Sequence, residues 1–306
     1  MTLQELLAEG TGKLETSGIP EAALDARRLL LEAFHTDTAH FLMNRTQPVL
    51  QNPDTEESVS DYRQMIEKRC RRIPIQYILG SQEFMGLTFL VNRHVLIPRQ
   101  DTETLVELVL EEQPRREKNI VDLCTGSGCI AVSLAVKGGY LDVTATDLSE
   151  EALCVAKENA ERLLDGTSVS VGGQEAKTQA APRQEKKHFA LYQGDLFQAL
   201  PEGNRYDILV SNPPYIPTEV IKGLQPEVRD CEPVMALDGA ADGLAFYRRI
   251  AAGAKDWLNP GASVYLEIGY DQGAAVSSLL SEAGFQNIKV IKDLPGLDRV
   301  VRADYQ

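Results

Sequence analysis

Apolar residues recur at three- and four-residue steps through the first part of the chain: Leu3, Leu6 and Leu7, then Leu24, Leu29, Leu30 and Phe34, then Val59, Tyr62, Met65 and Ile66. That spacing predicts amphipathic helices, with breaks at Gly18-Ile19-Pro20, at Pro48 and at Asn52-Pro53. A small all-helical domain over residues 1–74 is expected, serving as scaffold or as the part that recognises a partner substrate. Residues 75–98, IQYILGSQEFMGLTFLVNRHVLIP, are rich in Ile, Val, Phe and Leu with Gly80 and Gly86 as punctuation. They predict short strands, a β-hairpin linker between two parts. DTETLVELVLEE (101–112) then starts a helix that Asp101 or Thr102 can cap, with Leu105, Leu108 and Val109 as its apolar stripe.

From residue 119 the period switches back and forth. NIVDLC, LDVTAT, HFALYQ, YDILVS, ASVYLEIG, NIKVIK and RVVRADY read as strands. SGCIAVSLAVK, SEEALCVAKENAERLL, LAFYRRIAAGAKDWL and DQGAAVSSLLSEAG read as helices between them. Such alternation predicts an α/β domain over residues 99–306, a mostly parallel seven-stranded sheet with helices on both faces. The last two strands are joined only by DLPGLD, too short for a helical crossover, so they pair antiparallel. Residues 165–187 are polar and aperiodic and read as a surface loop before the third strand.

Composition narrows the classes. With 45 acidic residues against 31 Lys+Arg, the net charge is −14. Residues 1–80 carry 9 basic and 12 acidic side chains, so neither part has the basic surface on which nucleic-acid binding rests. No direct nucleic-acid binding is expected. No apolar run approaches a membrane span, and the opening MTLQELLAEG resembles neither a signal nor a transit peptide; a cytoplasmic monomer is expected. Five scattered cysteines without a C-x-x-C pair and four dispersed histidines point to no disulfide scaffold and no metal site.

The candidate chemistry lies at the ends of the predicted strands. The first runs into Asp122-Leu123-Cys124-Thr125-Gly126-Ser127-Gly128, a turn whose glycines allow a ligand to lie against the backbone at a helix N-terminus. Gly126, Gly128 and Ala131 also fit the loose dinucleotide pattern G-x-G-x-x-A, weak by itself. The second strand ends at Asp147, suited to two ribose hydroxyls, with Ser149 placed to cap the next helix; the third ends at Gly194-Asp195. Open parallel sheets bind ligands outside these carboxyl ends, so Asp122, Asp147, Asp195 and Asn212 are expected to face one crevice, a nucleoside pocket without a phosphate-gripping Lys or Arg. The fourth strand runs straight into Asn212-Pro213-Pro214-Tyr215. Two prolines fix φ and remove two donors, leaving a stiff loop that presents carbonyls. Such a loop suits a conjugated NH2 group, whose nitrogen is a poor nucleophile: Asn212 Oδ1 and the Pro213 carbonyl can take both N–H bonds, so no strong general base is needed.

These residues resemble the S-adenosylmethionine-dependent methyltransferases, and more narrowly the peptide-chain release factor glutamine methyltransferases, the PrmC/HemK family. The likeness runs through PIQYILG (74–80), LIPRQDTE (96–103), DLCTGSGCIA (122–131), ATDLSEEAL (145–153), NPPYIP (212–217), the segment EPVMALDGAADGL (232–244), EIG (267–269) and DRVVRA (298–303). It implies a Rossmann-like class I methyltransferase fold behind the helical domain, S-adenosyl-L-methionine as cofactor, S-adenosyl-L-homocysteine as product and release factors as protein substrates. It further implies that Cys124, Thr125, Gly126, Ser127 and Gly128 line the methionine part of the cofactor, that Asp147 holds the ribose, and that Asp195 and Leu196 flank the adenine. Asn212, Pro213, Pro214 and Tyr215 would bind the substrate glutamine, with Asn212, Pro213 and Tyr215 carrying the catalysis and Asn212 also near the cofactor. Two positions depart from the family pattern: Cys124 stands where most members carry glycine, and Gln100 where proline is usual.

NPPY also occurs in adenine methyltransferases, so methylation of adenine or of another glutamine, as in a ribosomal protein, stays open beside the release-factor reading. An oxidoreductase or a non-catalytic nucleoside binder has no need of the rigid carbonyl loop. The basic run Lys68, Arg69, Arg71 and Arg72 reads as a solvated helix end or a contact for an acidic partner. Gly172-Gly173-Gln174 repeats the tripeptide that the resembling family methylates, by coincidence or as a self-methylation site.

Overall fold

The three- and four-residue spacing does produce helices, at Leu3–Thr16, Ala22–Ala33, Thr38–Asn44 and Pro53–Cys70. Their stripes close on one core, in which Leu6, Leu14, Leu29, Leu30, Tyr62 and Ile66 are buried. Thr2 and Glu5 form a reciprocal cap at the first helix, each side chain accepting the other's backbone N–H. The computed structural model of the chain describes residues 1–49, 53–172 and 187–306, in two units: Met1–Ser81 with Gln225–Cys231, and Gln82–Leu224 with Glu232–Gln306.

In the first unit the basic run is put to internal use. Arg69 is buried, its Nε 2.7 Å from Asp25 Oδ2 and its Nη1 2.9 Å from Glu227 Oε1, while Arg72 Nε reaches the same Glu227 oxygen at 3.3 Å. Only Lys68 and Arg71 remain exposed. The expectation of a wholly solvated or partner-facing run is therefore corrected. Breaking such a buried pair by removing one member costs about 3–5 kcal/mol, so the arginines hold Gln225–Cys231 to the helices.

Residues 75–79 also differ from expectation. Instead of a strand they form a short helix, Ile75–Leu79, between Pro74 and Gly80, whose φ of +74° ends it. A short apolar run bounded by Pro and Gly carries no decisive period, and here Ile75 is buried in the helical core. The hairpin follows as β1 (Ser81–Phe84) and β2 (Leu87–Leu90). Before the helix Glu103–Glu112, residues Gln100–Thr102 make one tighter turn, and neither Asp101 nor Thr102 caps with its side chain.

The main sheet contains β3 (Asn119–Leu123), β4 (Asp142–Asp147), β5 (Ser168–Val171), β6 (His188–Gln193), β7 (Tyr206–Ser211), β8 (Leu258–Glu267), β9 (Gln286–Lys292) and β10 (Asp298–Asp304), in the order β5-β6-β4-β3-β7-β8-β10-β9. All neighbours are parallel except β10, which is antiparallel to both β8 and β9. Among the described residues the sheet has eight strands rather than seven. The extra one, β5, lies in the segment read as a loop; four residues of Ser-Val alternation were enough to add an edge beside β6. Residues 173–186, including Gly173-Gln174, lie outside the described residues. Central strands are buried on both faces: Ile120, Ile208 and Val210 enter one core, Val121, Leu123 and Leu209 the other.

The strand order reverses at β3, with β4 on one side and β7 on the other. Leu123 pairs with Thr146 and with Ser211 in register. The segments that begin at Cys124, Asp147 and Asn212 therefore leave the sheet at one edge, the place where open parallel sheets bind ligands.

Candidate active site

The turn after β3 is shaped by a carboxyl beneath it. Asp122 is fully buried, accepts the Thr125 hydroxyl at 2.6 Å and is bonded by the Ala131 amide. Burial pushes its carboxyl up to about 7. Above it the backbone turns through positive φ at Cys124 (+61°), Gly126 (+56°) and Gly128 (+79°). At Gly128 a Cβ would sit 3.2 Å from the Ala156 Cβ of the helix Glu150–Leu163, so close packing and left-handed backbone coincide there. Cys124 takes the same kind of backbone conformation with a side chain, which explains why glycine suits the position. Its thiol is driven well above its usual range by burial and by Asp147, which leaves it protonated and unreactive.

Asp147, at the end of β4, accepts the Gly126 amide on Oδ2 at 2.8 Å and the Ser149 amide on Oδ1 at 2.9 Å. Each carboxylate oxygen keeps a lone pair for a further donor. Burial raises this carboxyl, and the backbone bonds oppose the rise. Ser149 caps the following helix, its Oγ accepting the Ala152 amide. Asp195 is tied at 2.7 Å to Arg249, a partner that sequence reasoning missed. The buried Leu196 holds a φ of +52°.

The Asn-Pro-Pro-Tyr corner is braced from several elements. Asn212 Nδ2 donates to Thr102 Oγ1 at 3.4 Å. The Tyr215 hydroxyl donates to Glu267 Oε1 at 3.4 Å, and the Tyr215 carbonyl accepts the Gln272 amide at 3.0 Å. Ile216 pairs with Asp238 in a parallel bridge. Gly243, at φ +74°, lies so close that a Cβ would stand 2.3 Å from the Tyr215 carbonyl oxygen. Nearby, Glu232 is buried, accepts the Ile97 amide and pairs with Arg99.

One cavity of about 330 Å³ joins these parts, within the ordinary range of small-molecule sites. Its wall contains Cys124, Thr125, Gly126, Ser127, Asp147, Asp195, Leu196, Asn212 and Pro214. Three of the sequence-predicted site residues are not part of that wall: Gly128, Pro213 and Tyr215. Asp122 does not face the crevice either; it is buried beneath the turn, because its hydroxyl partner Thr125 draws it inward. An arginine does reach the wall, Arg99, contrary to the expectation of none, but its charge is taken up by Glu232. Thr102, Phe246 and Met235 also line the cavity and were not foreseen. The segments LIPRQDTE and EPVMALDGAADGL held the only signal for Thr102 and Met235, and neither contains Phe246.

The wall suits a nucleoside. It is largely apolar, offers the Asp147 carboxylate with a lone pair left on each oxygen, and contains a buried hydroxyl, Thr146 Oγ1, without a hydrogen-bond partner. Among the described residues no cluster of His, Cys, Asp and Glu has metal-binding geometry, and no helix is long and apolar enough to cross a membrane.

Comparison with known proteins agrees with this fold. Residues 5–80 match the family described as PrmC N-terminal domain, and residues 100–180 the Methyltransferase small domain. A methyltransferase from Pyrococcus furiosus shares the fold, with a TM-score of 0.50 at 18% identity over 78% of this chain and 98% of that one. Fold, cavity and domain match together define a methyltransferase of the Rossmann-like class I kind. The chain is 39% identical to the release factor glutamine methyltransferase of Geobacter sulfurreducens, over 98% of its own length and 95% of the relative's. It is 40% identical to that of Moorella thermoacetica, over 98% and 97%. It belongs to the release factor glutamine methyltransferase family.

Proposed function

We propose that this chain methylates the side-chain amide nitrogen of the glutamine in the Gly-Gly-Gln motif of peptide-chain release factors, using S-adenosyl-L-methionine and leaving S-adenosyl-L-homocysteine. The observation that carries the reading is that the glycine turn, Asp147 and the Asn212 corner share one cavity. The backbone from Cys124 to Gly128 holds the methionine end, Asp147 takes the ribose hydroxyls, and Asp195 with Leu196 borders the adenine. The helical unit recognises the protein substrate, and the chain works as a monomer in the cytoplasm.

An amide nitrogen attacks poorly because its lone pair is conjugated; in a peptide bond that conjugation sustains a rotation barrier of ~18–20 kcal/mol. Asn212 Oδ1, in the cavity wall, and the adjoining Pro213 carbonyl, although Pro213 is not part of that wall, accept the two N–H bonds of the glutamine amide and favour a more tetrahedral nitrogen. Holding nitrogen and methyl in line is worth about 7–11 kcal/mol, and each fixed hydrogen bond about 3–4 kcal/mol. S-adenosylmethionine held by the glycine turn and Asp147 would supply an electrophilic methyl to that nitrogen, its sulfur keeping the bonding electrons. The methylated nitrogen, its conjugation reduced, sheds a proton to water, so no His or Cys base is required. Tyr215 braces the corner through Glu267 rather than lining the cavity.

Labelled S-adenosylmethionine offered in parallel with release factor, ribosomal protein and DNA tests the substrate. Label is expected on the release factor, and preference for either other acceptor overturns the assignment. Asn212→Ala should lower transfer at least about 100-fold while S-adenosylhomocysteine still binds within a few-fold by calorimetry. Retained transfer would remove Asn212 from the mechanism.

A further inference from the structure

One carboxylate of the cavity wall is held from outside it. Asp195, between β6 and the turn Leu196–Ala199, stands where an aspartate ordinarily caps a helical turn, yet its side chain makes no capping bond. It reaches instead to Arg249 on the helix Ala245–Gly253, Oδ2 lying 2.7 Å from Nη2. Both side chains are partly exposed, so the pair adds little to folding stability. The same guanidinium lies over the Phe246 ring, 5.8 Å from its centroid, within the range of a cation–π contact. Phe246 and Arg249 are three residues apart and share a helix face. Asp195 and Phe246 both line the cavity, and Arg249 does not. One cation outside the wall thus ties together two wall residues from separate elements.

We propose that Arg249 is a positioning residue for the cofactor's base: it fixes the Asp195 carboxylate so that the cavity accepts a 6-amino purine and rejects a 6-oxo purine. The inference rests on the placing of adenine beside Asp195 and Leu196 given above. A carboxylate only accepts, at about four lone-pair positions. The ion pair uses Oδ2, so acceptor sites remain for a donor in the cavity. The exocyclic amine of adenine is such a donor. Hypoxanthine carries an oxygen there, an acceptor facing an acceptor, and its nearest donor is the adjacent ring N1–H. A carboxylate free to turn could follow that proton; one held by Arg249, itself held over Phe246, cannot. A site built to hydrogen-bond a ligand amine rejects the analogue lacking it, because its own polar group is left unpaired.

Calorimetric binding of S-adenosyl-L-homocysteine and of S-inosyl-L-homocysteine to the full chain tests the assignment. Wild type should prefer the adenosyl compound by at least about 30-fold. Arg249→Ala should weaken the adenosyl compound about five- to ten-fold and hold the inosyl compound within about two-fold, so that the preference drops. At saturating S-adenosylmethionine its kcat should stay within about two-fold of wild type, because an interaction that serves binding alone moves KM. Arg248→Ala removes the same charge from the neighbouring position, where the partner is Asp242, and should leave the preference unchanged. No preference in wild type, a full preference in Arg249→Ala, an equal loss of both compounds, or the same drop in Arg248→Ala each overturns the role of Arg249. If Asp195→Ala loses the preference while Arg249→Ala keeps it, adenine lies beside Asp195 and only the inference about Arg249 falls. An Asp195→Ala protein that still prefers the adenosyl compound removes the placing of adenine beneath it.

Discussion

The glycine turn after β3 and the proline corner after β7 leave the same edge of the sheet side by side, yet they are stiffened in opposite ways. The turn is supported from within: Asp122 and Thr125 are three residues apart, and the shape comes from backbone that only small residues accept readily. The corner is supported from afar. Thr102 is 110 residues from Asn212, and Glu267 is 52 residues from Tyr215. Each loop rests on one fully buried carboxyl pushed up to about 7, with one oxygen lacking a partner in good geometry. The lesson is that a loop built to present backbone to a ligand can be specified locally. One built to aim a single side chain at a reacting atom needs several elements to converge on it.

The comparison breaks hardest at Gly243. In Gly243→Ala the new Cβ meets the Tyr215 carbonyl at 2.3 Å with φ at +74°, a combined clash and strain worth about 3–5 kcal/mol. Calorimetry should show a Tm lower by roughly 10 °C and transfer should collapse, while S-adenosylhomocysteine affinity, owed to the turn, persists. An unshifted Tm would mean that the corner is not braced there.

Asp122 sharpens the other side. Its folded carboxyl titrates near 7, above an unfolded value near 4, so between those values the native state binds the extra proton and stability falls as pH rises. Across pH 4–7 that contribution declines by roughly 3 kcal/mol. Asp122→Asn cannot ionise and should flatten this part of the slope in denaturant titrations, leaving the parallel share from Glu267. A slope equal to wild type would show that Asp122 does not titrate in the folded protein.

The smallest effect is expected at Cys124. Replacing a side chain at φ +61° by glycine should stabilise the protein by about 1 kcal/mol, read as a higher denaturant midpoint, with cofactor affinity unchanged. A lower midpoint would mean that the thiol contributes packing greater than the strain it imposes.

Much of this site was legible as a pattern. The alternation from residue 119 located the strands, and their ends put Cys124–Ser127, Asp147, Asp195 and Asn212 at one edge, where they line one cavity, with Gly128 just outside its wall. Asp122 misled because a strand-end acid looks the same whether it faces out or is drawn in by a hydroxyl three residues on. β5 was missed because four alternating residues in a polar segment carry too short a period. Ile75–Leu79 was misread because a segment of five residues is too short to show a period. The arginines at 69 and 72 gave no hint of their partner, since Glu227 lies far along the chain.

The amino-acid order alone determined most element types, Ile75–Leu79 and β5 excepted, the edge at which the loops emerge and the kinship of the chain, because each depends on neighbours within a few residues or on motifs read in line. Tertiary structure alone decided which acids face the cavity, that Tyr215 turns away from it, and that Thr102 stands behind Asn212 and Glu267 behind Tyr215. Those outcomes depend on burial, which no local spacing encodes, and at the corner on hydrogen bonds between residues 52 and 110 positions apart.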